Sequence, residues 1–213
     1  MSQVKSPVSQ IALPLEPAGA GRPQRIVIGN ANMAAIEALR EPERWPFHTA
    51  VLTGPARSGK TLLGHWAAAQ GIDVIDDAQD QDEDKLFHRW NASQQGGSRA
   101  GKPLLLIANA CPWDVSLPDL RSRLGGSLQL EISEPDDAMA AQLIEAMASE
   151  RGLSLADGAA DYLVPRTVRS FADLERLVRV IDRISLERAA PATMSVWRAA
   201  LEALQGPEQA NLL

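Results

Sequence analysis

Short apolar runs alternate along this chain with stretches in which apolar residues recur every three or four positions. The runs are "RIVIG" (25–29), "TAVLTG" (49–54), "IDVIDD" (72–77), "PLLLIANA" (103–110) and "SLQLEIS" (127–133). Their length and bounding Gly, Pro and Asp residues predict short strands. Between them lie helical periods. "NANMAAIEALREP" (30–42) carries Met33, Ile36 and Leu39 on one face, with Asn30 or Asn32 as N-cap. A second helix is expected over 60–70, closed by Gly71, and a third over 83–95 with Leu86, Phe87 and Trp90 as its apolar stripe. Strands alternating with helices predict an α/β unit built on a parallel sheet.

After Glu134-Pro135 the strand pattern stops. Three amphipathic helices are expected there, over 136–151 (Met139, Leu143, Met147), 169–188 (Phe171, Leu174, Val178, Ile181) and 193–204. The chain thus divides into a tail (1–24), an α/β base (25–134), a helical subdomain (135–205) and a short C-terminal tail (206–213).

Composition removes several classes. No apolar run approaches the ~18 residues of a membrane helix, so no membrane association is expected. The single cysteine, Cys111, excludes an internal disulfide and agrees with a cytoplasmic location. Net charge is −6, which argues against a protein that grips duplex DNA through phosphates. The acidic run "DVIDDAQDQDED" (73–84) reads as a solvated surface turn.

One motif carries explicit chemistry. "GPARSGKT" (54–61) matches G-x-x-x-x-G-K-[ST] between a strand and a helix. Gly54, Pro55, Ala56, Arg57, Ser58, Gly59, Lys60, Thr61 and the following Leu62 form the candidate nucleotide loop. Its glycines let backbone N–H groups converge on a polyphosphate, and the helix N-terminus adds partial positive charge. Lys60 is expected to reach the β- and γ-phosphates, and Thr61 to place its hydroxyl on Mg²⁺. The expected ligand is ATP or ADP with Mg²⁺. Asp76 and Asp77 follow a strand, where an acidic pair serves a nucleotide loop. Asp76 is expected to orient the Mg²⁺ water shell, and Asp77 to polarise an attacking water. Only fourteen residues (62–75) separate Thr61 from Asp76. One helix and one strand use all of them, whereas most proteins with such a loop insert another strand there, so by that resemblance a sheet with a reduced number of strands is expected.

The order of further motifs resembles that of AAA+ ATPases. Asn109 ends its strand as sensor 1 does. "LPDLRSRLGG" (117–126) is similar to the box VII segment, with Arg123 at the arginine-finger position and Arg121 a solvated neighbour. "VRSFADLE" (168–175) looks like the sensor 2 helix of DnaA-type proteins, with Arg169 as the sensor arginine. "RIVIGNAN" (25–32) resembles their adenine-packing segment, with Val27 and Ile28 nearest the base. The resemblance covers 25–205 and implies an AAA+ base with a helical lid. Within the DnaA branch the chain is similar to the Hda regulators, including their shortened alphaproteobacterial type.

That resemblance implies a function. Hda-type proteins bind the DNA-loaded sliding clamp (the β subunit of DNA polymerase III) and stimulate ATP hydrolysis by the initiator DnaA. Arg123 is then expected to act in trans on the initiator's ATP, with DNA contacted only through the clamp. Vigorous AAA+ ATPases have Glu where this chain has Asp77, so weak or no intrinsic turnover is expected. A competing reading is a helicase-loader-like ATPase that uses its own turnover for remodelling. A small-molecule kinase is a third, for which no acceptor-site base is found. Self-association into a homodimer is left open.

The tail supplies a last motif. "QIALPL" (10–15) places apolar residues in a Pro-, Gly- and Ala-rich segment. It resembles the clamp-binding peptide of the Hda group, with Gln10, Ile11, Leu13, Pro14 and Leu15 as the contact residues. Pro14 limits self-pairing and pre-extends the peptide.

Overall fold

A computed structural model describes residues 10–11, 26–94, 101–109 and 113–205. The chain separates into two compact units. One spans Ala31–Ser133; the other combines the segment ending at Asn30 with the helices after Glu134.

The first unit holds a four-stranded parallel sheet. Its strands are β3 (Thr49–Thr53), β4 (Asp73–Ile75), β5 (Leu104–Ile107) and β6 (Leu128–Glu131), in the order β4-β5-β3-β6. Thr49 pairs with Leu104, Ala50 with Leu128 and Asp73 with Leu104. The two central strands, β3 and β5, are buried along their whole length. Parallel strands covered on both faces need such continuous apolar runs. β4, which leads into the acidic pair, is an edge strand, in line with the short interval from Thr61.

Crossover helices α2 (Lys60–Ala69), α3 (Glu83–Ser93) and α4 (Pro118–Gly126) connect the strands, and α1 (Met33–Arg40) precedes them. Helix α2 lies close on the sheet at Gly64. A Cβ there would stand 2.6 Å from Ile107 Cδ1 and 3.2 Å from Val74 Cγ1. A short 3-10 turn over Pro46–His48 leads into β3.

The acidic run is not one solvated turn. Asp73 opens β4 and pairs with Arg89, whose Nε donates to its Oδ2 at 3.0 Å. Asp82 caps α3 by accepting the Lys85 N–H at 3.0 Å. Its carboxylates have separate duties at a strand edge and a helix start, which the overall acidity of the run conceals.

The second unit contains α5 (Asp137–Glu150), α6 (Ala159–Leu163), α7 (Phe171–Glu187) and α8 (Met194–Gln205). Helix α7 buries Phe171, Leu174, Leu177, Val178, Ile181 and Ile184 on one face. It starts two residues later than the sequence period suggests, because Ser170 is its N-cap and accepts the Asp173 N–H at 3.1 Å. Helix α6 adds a fourth helix to the expected three; at five residues it is too short to show a helical period. Strand β2 (Ile26–Val27) pairs antiparallel with β1 (Gln10–Ile11), with Gln10 opposite Val27. These two residues are paired where the sequence suggests a tail free of regular structure. An unpaired edge of β2 offers backbone groups for such pairing. No helix among the described residues is long and apolar enough to cross a membrane.

Candidate nucleotide site and arginine face

The loop between β3 and α2 has the backbone that its glycines permit. Gly59 lies at φ 86° and caps α2 from the left-handed region. Gly54 sits against Ile132; a Cβ there would meet Ile132 Cβ and O at 2.9 Å. Arg57 is also left-handed, at φ 65°. Lys60 is only 7% exposed, and its ammonium donates to the carbonyls of Gly54 (2.8 Å) and Pro55 (2.9 Å). Burial pushes its pKa below the ordinary lysine value, while the carboxylates of Asp76 and Asp77 pull it back up. Ser58 Oγ is buried with no hydrogen-bond partner. Thr61 is exposed at the first turn of α2, and Leu62 half-buried beside it. Pro55 is half-buried, and Ala56 and Arg57 are exposed.

The acidic pair and the strand-tip asparagine come together. Asp77 adopts φ 48°, and its N–H donates to Asp76 Oδ1 at 3.0 Å. Asn109 Nδ2 donates to Asp77 Oδ1 at 3.1 Å. The Asn109 N–H donates to Gln79 Oε1 at 3.2 Å. A left-handed aspartate is a strained residue of the kind that concentrates at functional sites. Gln79 escaped the sequence reading, since nothing in "DDAQD" marks a side chain that orients a strand thirty residues away.

These residues fit a magnesium nucleotide. A buried ammonium resting on loop carbonyls and an orphaned buried hydroxyl are groups that gain from phosphate oxygens. Among the described residues no cluster of His, Cys, Asp and Glu forms a metal cage by itself. Thr61 and Asp76 would therefore hold Mg²⁺ jointly with the phosphates, as is usual for this ion.

Arg123 contacts α3 rather than the nucleotide loop. Its guanidinium lies 4.1 Å from the Phe87 ring centre and 4.5 Å from that of Trp90, and it bonds Asn91 Oδ1. All three partners belong to α3. Arg121 is not simply solvated: its Nε donates to the Val115 carbonyl at 2.7 Å. Glu83 fixes the start of α4, accepting the N–H groups of Ser116 (2.8 Å) and Leu117 (2.6 Å). Asn91 closes "DKLFHRWN" (84–91), a segment similar to the Hda pattern, and Glu83 lies in the acidic run, but neither segment indicates that these side chains reach Arg123 and the start of α4.

The remaining candidates lie in the second unit. Arg169 forms a 2.7 Å ion pair with Asp137 at the start of α5. Val27 and Ile28 are buried. Gln10 and Ile11 form β1, whereas Leu13, Pro14 and Leu15 lie outside the described residues.

No family model matches the chain. A crystal structure of domain III of the Thermotoga maritima replication initiation protein DnaA superposes with a TM-score of 0.67. It is 16% identical and covers 85% of this chain and 95% of that one. A replication initiator DnaA bound to AMPPCP and single-stranded DNA gives a TM-score of 0.58 at 21% identity, over 77% of this chain and 66% of that one. The Thermotoga maritima RuvB Holliday junction branch migration motor also gives 0.58, at 17% identity, over 83% of this chain and 70% of that one. The chain has the AAA+ fold. Sequence similarity points the same way at a distance. A DnaA of Magnetococcus marinus is 28% identical over 123 residues, 56% of this chain and 26% of its own length. An uncharacterized Haemophilus influenzae protein is 33% identical over 105 residues, 48% of this chain and 42% of its own. The chain thus spans less than half the length of these curated relatives.

Proposed function

We propose that this protein is a DnaA-related regulator of replication initiation, of the Hda type. In this reading it binds the DNA-loaded sliding clamp through Gln10–Leu15 and stimulates ATP hydrolysis by the initiator DnaA through Arg123. The observation that carries it is the setting of Arg123: a half-exposed cation stacked on Phe87 and Trp90 of α3 and bonded to Asn91, held by no residue of its own nucleotide loop. Such an arginine is available to another molecule's phosphates.

The base would hold ATP or ADP. Lys60 would exchange its two carbonyl partners for phosphate oxygens, and the backbone N–H groups of 56–61 would face the same charge. Thr61 and Asp76 would hold Mg²⁺, which when bound would neutralise phosphate charge. Asp77 and Asn109 keep each other in place at the two neighbouring strand tips. On the partner, water attacks the γ-phosphorus of ATP and the bond to the β-phosphate oxygen breaks, giving ADP, phosphate and a proton. Arg123 stabilises the negative charge on the transferring group. In GTPase systems such a finger is worth on the order of 10³–10⁵ in rate. The protein acts in the cytoplasm and reaches DNA only through the clamp.

The test is hydrolysis of initiator-bound ATP in the presence of clamp loaded on DNA. Wild type should stimulate it, whereas Arg123→Ala and Leu13→Ala/Leu15→Ala should not. Equal behaviour of all three would sink this reading. The Asp77–Asn109 bond supports a second reading, an ATPase of the helicase-loader kind. It requires intrinsic turnover that disappears in Lys60→Ala.

A further inference from the structure

We propose that Phe47 is an anchor by which the base unit docks onto a partner P-loop domain loaded with nucleoside triphosphate. The inference rests on the reading of Arg123 given above and names the residue that would seat the finger. Phe47 is 54% exposed; among the described residues the other strongly exposed large apolar side chains, Val168, Leu186 and Met194, belong to the helical unit.

Its exposure is held in place by the backbone. Phe47 lies at φ 52°, ψ 31°, and His48 follows at φ 46°. Two successive non-glycine residues in the left-handed region are costly, and such strain persists where the surroundings over-determine it. Here the Phe47 carbonyl accepts from Thr49 Oγ1 at 2.8 Å and from the Gln94 amide, and the His48 N–H donates to the Trp45 carbonyl at 3.0 Å. The result keeps a phenyl ring at the surface that a relaxed backbone could turn elsewhere.

The ring adjoins the arginine face. It lies 6.0 Å from Trp90, the same ring that Arg123 covers from 4.5 Å. On its other side is Gly126, where a Cβ would come within 3.0 Å of the phenyl edge. Gly125 next to it faces open space. An aromatic anchor, a stacked arginine and a floor without side chains form the kind of patch that dominates binding energy at protein interfaces. Charge selects the occupant. The cation at the centre calls for an anion, and the γ-phosphate of a triphosphate bound to a P-loop domain is a concentrated one. An apolar notch on that partner beside its nucleotide would receive Phe47.

The experiment measures binding of the full-length chain to an ATP-loaded, DnaA-type initiator, together with the saturating rate of initiator ATP hydrolysis. Phe47→Asn keeps a side chain that tolerates left-handed backbone. It should weaken affinity at least tenfold and leave the saturating rate unchanged. Phe47→Leu should recover part of the affinity. Arg123→Ala should do the reverse of Phe47→Asn, lowering the rate more than the affinity. Unchanged affinity in Phe47→Asn overturns the proposal while leaving the proposed function standing. Absence of wild-type binding removes that function and this inference with it. Sedimentation of the protein alone covers a second copy as occupant: loss of self-association in Phe47→Asn with normal initiator binding overturns the proposal. If both substitutions lose affinity only together with the wild-type circular dichroism spectrum, the ring is structural and the proposal fails.

Discussion

Two cations of the base unit face opposite problems. Lys60 is buried in its loop and satisfied by two carbonyls six and five residues behind it. Arg123 lies half-exposed on two aromatic rings, bonded to a helix from another part of the chain. Burial makes the lysine charge costly, so the loop is built around a group that gains from an arriving anion. Stacking leaves the arginine charge intact and accessible, since aromatic faces satisfy a cation without neutralising it. In the proposed function the first arrangement serves the protein's own ligand and the second a partner's. Under the proposed function, the two cations should therefore separate cleanly in experiments.

The largest separation is expected from Arg123→Ala. It should lower stimulated hydrolysis by the initiator about a thousandfold, the lower end of the finger range, while nucleotide affinity of the protein itself stays at the wild-type value. Single-turnover hydrolysis and titration with a fluorescent nucleotide read the two quantities. A comparable loss in both would mean that the arginine face and the nucleotide loop are one site.

Lys60→Ala should give the complementary pattern. Removing a charged donor to phosphate costs about 1.5–3 kcal/mol, so affinity for ATP or ADP should fall roughly ten- to a hundredfold. Calorimetric titration checks it. If initiator stimulation survives, the bound nucleotide is not needed to present Arg123.

The two halves of this comparison were unequally legible in the sequence. The nucleotide loop is contiguous, so strand, glycines, lysine and helix announced it together. The Asp77–Asn109 pair was legible as two strand tips, although the bond between them depends on β4 and β5 being neighbours. The setting of Arg123 was not legible. Phe87 and Trp90 read as the apolar stripe of α3; Trp90 is indeed buried, but both rings also carry the guanidinium. That contact joins residues more than thirty positions apart through the packing of α3 on α4, and no local pattern encodes it. Phe47 was illegible for a stronger reason. Local preference opposes a bulky residue in left-handed backbone, and only the surrounding bonds impose it.

Smaller effects test the helices that carry the two cations. Gly64→Ala in α2 places a methyl 2.6 Å from Ile107 Cδ1, in a side chain only 1% exposed. Overpacking should outweigh the gain in helix propensity and destabilise by about 1–2 kcal/mol. Gly125→Ala in α4 meets nothing within 4 Å, so propensity should act alone and stabilise by up to about 1 kcal/mol. Urea melts of the two variants should move in opposite directions. Destabilisation of both would show that α4 is constrained as tightly as α2, and stabilisation of both that α2 yields as readily as α4.

The smallest effect is a pH dependence, and its sign follows from the burial of Lys60. Burial lowers its pKa in the folded protein, and Asp76 and Asp77 only partly restore it. Between that lowered value and the ordinary lysine value of about 10.4, the unfolded chain binds more protons than the folded one. Stability due to this group must then rise with pH across that window, and below it the charged lysine is a constant cost. The difference in unfolding free energy between wild type and Lys60→Met, in which other titrating groups cancel, should accordingly shift in favour of wild type as pH is raised from neutral toward 10. Asp76→Asn/Asp77→Asn should steepen the shift by removing the carboxylates that hold the ammonium charged. A shift of the opposite sign would mean that those carboxylates outweigh burial, and that the loop stabilises its cation before any anion arrives.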